Sequence, residues 1–185
     1  MSKPLIIFVA LTILIIGVLV FVKSSQPAES LIGVKRESQG QQHVQQGQPH
    51  EVYTSQPASS GPHYSDASAP IAWGIYSEEV QPEVYLHNIE HGGVVIAYNP
   101  EKLSAEDLQK LKDFLIPADQ SASFKPARFI LMPSTAISQT LGLAAWEYTL
   151  DLETFDKASI TTFYNQHANN APESGAAPTN KPVDQ

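Results

Sequence analysis

Glu83-Val84-Tyr85-Leu86-His87-Asn88-Ile89-Glu90-His91-Gly92-Gly93-Val94-Val95-Ile96-Ala97-Tyr98 carries two of the chain's six histidines, four positions apart, with a carboxylate before the second and paired glycines after it. Its conformation decides what surrounds it. On a helical turn, side chains at i and i+4 stand about 5–6 Å apart at Cβ and can close on one ion. On a strand the same spacing separates them by about 13 Å. Glu83 to Leu86 and Val94 to Tyr98 are rich in β-branched and aromatic residues, which favours strands. The stretch therefore reads as strand, tight turn, strand, with both histidines on the turn and Gly92-Gly93 allowing a positive φ or a close backbone approach. HxxEH is also the inverted zinc-peptidase signature, but that motif needs a long helix around it, and these flanks do not suggest one.

Upstream, Ile71 to Tyr76 alternates in the strand manner. Downstream, Asn99-Pro100 ends the second strand, and Ser104-Ala105-Glu106-Asp107 has the form of a helix N-cap. Leu108, Leu111, Phe114 and Leu115 follow at helical spacing, and Pro117 stops them. Arg128 to Pro133 and Ala145 to Leu152 read as strands, the latter with one face buried. Asp156 caps a last helix lined by Ile160, Phe163, Tyr164 and His167. The expected fold is α+β, a mainly antiparallel sheet of about five strands with two helices on one side, preceded by one transmembrane helix.

That helix is Leu5 to Val22, an unbroken apolar run between Lys3 and Lys23. At 1.5 Å per residue it reaches about 27 Å, near the thickness of a bilayer's hydrocarbon core. It is longer than a signal peptide's apolar region and lacks a small-x-small cleavage site. Residues 1–23 thus read as an uncleaved anchor and the Gln-rich 24–48 as a polar linker in which His43 is solvated. Residues 49–170 form the globular domain and 171–185 a disordered tail. The charges flanking the span do not decide its orientation.

The 185-residue chain has no cysteine, so any metal site must use His, carboxylate or Met. Its net charge of -8, with only 11 Lys and Arg, excludes a nucleic-acid partner.

Ser60-Gly61-Pro62-His63, Trp73-Gly74-Ile75-Tyr76, the His-x-x-Glu-His-Gly core, Ala145-Trp146, Phe155-Asp156, His167 and Ala171-Pro172-Glu173 occur in an order that resembles the family known as domain of unknown function 3105, over roughly residues 49 to 173. Members are commonly bacterial proteins with an N-terminal span, so the resemblance implies an extracytoplasmic domain at the cell membrane. Glu147-Tyr148 stands where the family shows Gly-Arg.

The chemistry points first to a metal-binding protein rather than an enzyme. His63, on a loop stiffened by Pro57 and Pro62, is a candidate ligand with His87 and His91, and His50 or Met132 is a candidate fourth. His167, on the apolar side of its helix, reads as a core residue. The ion is a transition metal, copper before zinc, since copper tops the divalent affinity order and Met132 would offer a soft donor. Glu90 is expected beside the site, accepting from an imidazole N–H. The alternatives are a metal-dependent hydrolase with Glu90 as general base, and a metal-free interaction module.

Overall fold

The computed structural model describes residues 30–119, 121–174 and 183–184. The anchor expected at Leu5 to Val22 lies outside the described residues. Among those described, no helix is long and apolar enough to cross a membrane.

Twelve elements make up the described fold. They are β1 (Val34–Lys35), β2 (His43–Val44), β3 (His63–Tyr64), β4 (Gly74–Ile75), α1 (Pro82–Glu90), β5 (Val94–Tyr98), α2 (Ala105–Leu115), β6 (Phe129–Pro133), β7 (Leu141–Ala145), β8 (Tyr148–Leu152), α3 (Lys157–His167) and β9 (Val183–Asp184). One sheet of seven strands runs β1-β8-β7-β5-β6-β4-β9, and β2 pairs with β3 separately. The sheet is mixed rather than mainly antiparallel. β8, β7 and β5 pair antiparallel, whereas β5, β6, β4 and β9 run parallel. The reason is connectivity, because α2 carries the chain from β5 back across the sheet to β6, and such a crossover joins parallel strands.

Alternate residues of β5 and β6 enter two separate cores. Val94, Ile96, Phe129 and Leu131 pack with Leu111 and Leu115 of α2 and Ile160 and Phe163 of α3. Val95, Ala97, Ile130 and Met132 pack with Tyr85, Leu86 and Ile89 of α1 and with Trp73. Two helices do lie on one side, as the sequence implies, and a third covers the other. Every residue of β5 is buried, which is the signature of a strand covered on both faces.

The principal correction concerns α1. Residues 83–86, expected as strand, are helical, and so are His87 and Glu90. Pro82 at the first helical position presets φ and gives up no needed N–H, and the buried Tyr85, Leu86 and Ile89 supply packing that outweighs the β preference of Val84 and Tyr85. The glycines end the helix by different means. Gly92 takes φ 84 and donates its N–H to the Ile89 carbonyl at 2.8 Å, as a C-terminal cap does. At Gly93 a Cβ would collide with the Trp73 ring.

Four further expectations change. Ala145 to Leu152 is not one strand but the hairpin of β7 and β8, with Ala145 opposite Tyr148 and Glu147 at φ 59 in the turn. Of Ile71 to Tyr76 only Gly74–Ile75 is strand. The polar stretch expected as linker joins the compact unit from Leu31 onward. β1 extends the sheet beside β8, and β2 pairs with β3. This segment is held by backbone bonds. The Ile32 N–H donates to Gln166 Oε1 at 2.7 Å and its carbonyl accepts from His167 Nε2 at 2.8 Å, so no apolar periodicity marks it. Of the expected tail, residues 171–174 pack against the end of α1, where the Glu173 N–H reaches the Glu90 carbonyl at 3.0 Å. β9 pairs with β4, and residues 175–182 and 185 lie outside the described residues.

Candidate metal centre

The β2–β3 pairing places His43 opposite His63, and α1 packs beside β3. His87 therefore meets both from the helix side. Ligand atoms from His43, His63 and His87 all lie within 4.8 Å of one another. The His43 and His87 rings are nearly parallel at 5.4 Å between centroids, and His63 stands edge-on to His43 at 4.9 Å. His63 is fully buried, His87 nearly so, and His43 is the exposed member.

The tautomers are set by the backbone. His63 Nδ1 donates to the Gly61 carbonyl at 2.9 Å and His87 Nδ1 to the Tyr64 carbonyl at 2.7 Å. Each ring then offers a lone pair at Nε2. Such outer bonds orient imidazole ligands and raise their basicity. Burial pushes the His87 pKa below its ordinary value, against the Tyr64 carbonyl bond, and the neighbouring His91 and His63 push the same way. The ring is thus biased toward the neutral form that binds metal.

Glu90 enters from the last residue of α1, and only 1% of its surface is exposed. Its Oε2 lies 3.0 Å from His63 Nε2 and 3.4 Å from His43 Nε2. With Nδ1 of His63 already donating, Nε2 and the carboxylate oxygen are two acceptors face to face, which requires a cation between them, a proton or a metal ion.

The other sequence candidates divide. His91 stacks on His87 at 4.8 Å, but its Nδ1 donates to the Glu173 carbonyl at 3.2 Å, and it stands outside the triad. His50 is drawn away to Glu83 at 2.9 Å. Met132 is buried in the core under α1, where its sulfur accepts from the Val80 N–H at 3.4 Å, so the soft donor is absent from the cluster. His167 is a core residue as expected, with Nε2 donating to Ile32, yet its buried Nδ1 has no partner. The candidate ligand that the sequence does not reveal is His43, because its Gln-rich surroundings carry no strand pattern. The only available signal is the isolated His43-Val44 pair, whose valine is buried.

Neither the curated proteins nor the solved structures give a match to this chain. The family described as protein of unknown function (DUF3105) matches residues 43–180, a span that takes in all three clustered imidazoles and the helix bearing Glu90, and the chain belongs to that family.

Proposed function

We propose that this is a membrane-anchored metal-binding protein whose domain lies outside the cytoplasm and holds one transition-metal ion through His43, His63 and His87. One observation carries the reading, the convergence of three ligand atoms within 4.8 Å. In two of these rings a backbone carbonyl fixes the tautomer. Three imidazoles suit zinc, copper or nickel, and copper heads the divalent order. The test is elemental analysis of the purified full chain after exposure to copper or zinc and desalting. About one ion per chain is expected. Retention no greater than in a His63→Ala/His87→Ala variant would sink the reading.

The anchor rests on the length of the apolar run from Leu5 to Val22. Alkaline carbonate washing should leave the chain in the membrane, and protease added to spheroplasts should reach the domain. Release by carbonate, or protection from protease, would count against it.

A hydrolase reading gains support from one observation. Helix α1 supplies part of the helical setting that HxxEH requires, but His91 sits beyond its end and outside the triad. Loss of a hydrolytic activity in Glu90→Gln with the metal retained would favour the enzyme.

A further inference from the structure

We propose that Glu90 is itself a ligand, its carboxylate oxygen joining the nitrogens of His43 and His63 on one ion, so that the centre selects a divalent ion over monovalent copper. This rests on the metal-binding reading above.

The carboxylate sits at the wrong nitrogen for a supporting role. A supporting carboxylate accepts from the ring N–H remote from the ion. In His63 that N–H is given to the Gly61 carbonyl, and Glu90 instead faces Nε2, the only nitrogen left to bind metal. An ion on Nε2 therefore meets the carboxylate. The spacing agrees. Two donors each about 2.1 Å from one ion are about 3.0 Å apart at a right angle and about 3.4 Å apart at the tetrahedral angle. Glu90 Oε2 is 3.0 Å from His63 Nε2 and 3.4 Å from His43 Nε2. A carboxylate oxygen has two lone pairs, so N–H donors on both rings would also satisfy these contacts; an ion does so while using the Nε2 lone pair that the Gly61 bond leaves on His63.

The donor set then decides the class of ion. Carboxylate and imidazole suit divalent zinc or copper, and monovalent copper prefers thiolate and thioether. The chain has no cysteine, and Met132 is engaged elsewhere. His43, with 45% of its side chain exposed, leaves one side of the centre open for the ion to enter or for water to complete the shell.

The experiment compares the full wild-type chain with Glu90→Gln in detergent. Each is titrated with Zn2+ and Cu2+ in air and with Cu+ under reducing conditions, against competing chelators. Loss of a direct ligand should weaken Zn2+ and Cu2+ binding by more than the roughly 100-fold at the top of the outer-shell range, with Cu+ binding changed by less than about threefold. A divalent loss of about 100-fold or less, within the outer-shell range, would overturn the ligand role. Tighter binding of Cu+ than of either divalent ion by the wild type would overturn the selectivity and leave the histidine reading intact. Failure of the wild type to bind any of the three would overturn both. Should Glu90→Gln fail to fold, infrared difference spectra of wild type with 13C-labelled glutamate decide the matter. Zinc should shift a labelled carboxylate band, and an unshifted band would refute the proposal.

Discussion

His43 and His63 are register partners in the parallel pairing of β2 with β3, although twenty positions separate them in the chain. An ion held by both rings and by His87 fastens the leading segment to α1 in the folded state only. Metal should therefore stabilise the protein by linkage. At a free concentration of 100 times the dissociation constant the gain is about 2.7 kcal/mol, worth about 5–10 °C in a domain of this size. Thermal melts with and without zinc should show the rise in wild type and not in His43→Ala. An equal rise in both would place the ion elsewhere.

His91 provides the contrasting case. Its ring lies against His87, but its hydrogen bond goes to the Glu173 carbonyl, which ties α1 to the segment after α3. His91→Ala should keep the ion with less than about a 100-fold loss in affinity, as expected for a group acting through a neighbour. Either His63→Ala or His87→Ala should remove it. Isothermal titration of the three variants checks this, and loss of binding in His91→Ala would move that ring into the ligand set.

Helices α2 and α3 are legible in the sequence because each announces itself locally. Ser104 and Asp156 accept bonds from the first-turn N–H groups of Asp107 and Ala158, and the apolar residues that follow keep helical spacing. Helix α1 is not legible in the same way. Val84 and Tyr85 favour a strand taken alone, and only the Trp73 side of the core makes the helical form of Tyr85, Leu86 and Ile89 worthwhile. His63 and His87 can be read as ligands from residue type and setting. His43 cannot, because its position depends on pairing with a strand twenty residues away, and a two-residue strand leaves no periodicity. Met132 shows the opposite limit, since residue type suggests a donor while alternation in β6 turns it into the core.

Gly93 tests the packing that positions the site. Its φ is not in the left-handed region, so alanine suits the backbone, but a Cβ would run into the indole of Trp73, itself only 1% exposed and unable to swing out. Overpacking of this kind costs about 1–3 kcal/mol. Gly93→Ala should lower the melting temperature by several degrees and, by displacing the end of α1, weaken metal binding. A thermal melt would show the first and titration the second; a neutral substitution would mean that Trp73 does not pin the helix.

His167 provides a pH dependence away from the metal. Its ring packs between Tyr148 and Phe163, at 4.3 Å and 4.5 Å between centroids, with Nε2 donating to the Ile32 carbonyl and Nδ1 a buried acceptor without a partner. Protonation at Nδ1 would place a charge where nothing receives its proton. Burial accordingly holds the pKa below the ordinary 6.5, against the opposing effect of the Ile32 carbonyl bond. The sign follows from which state takes up the proton. As pH falls through about 6.5 the unfolded chain protonates this ring while the folded chain resists, so stability drops with pH until the folded-state pKa is reached and then levels off. His87 is depressed in the same direction, so the wild-type slope alone does not isolate either residue. His167→Gln keeps a donor for Ile32 and cannot titrate. Melts of metal-free wild type and His167→Gln between about pH 7.5 and 5.5 should show a shallower loss in the variant. Identical slopes would mean that the ring titrates alike in both states and that its orphaned nitrogen finds a partner on folding.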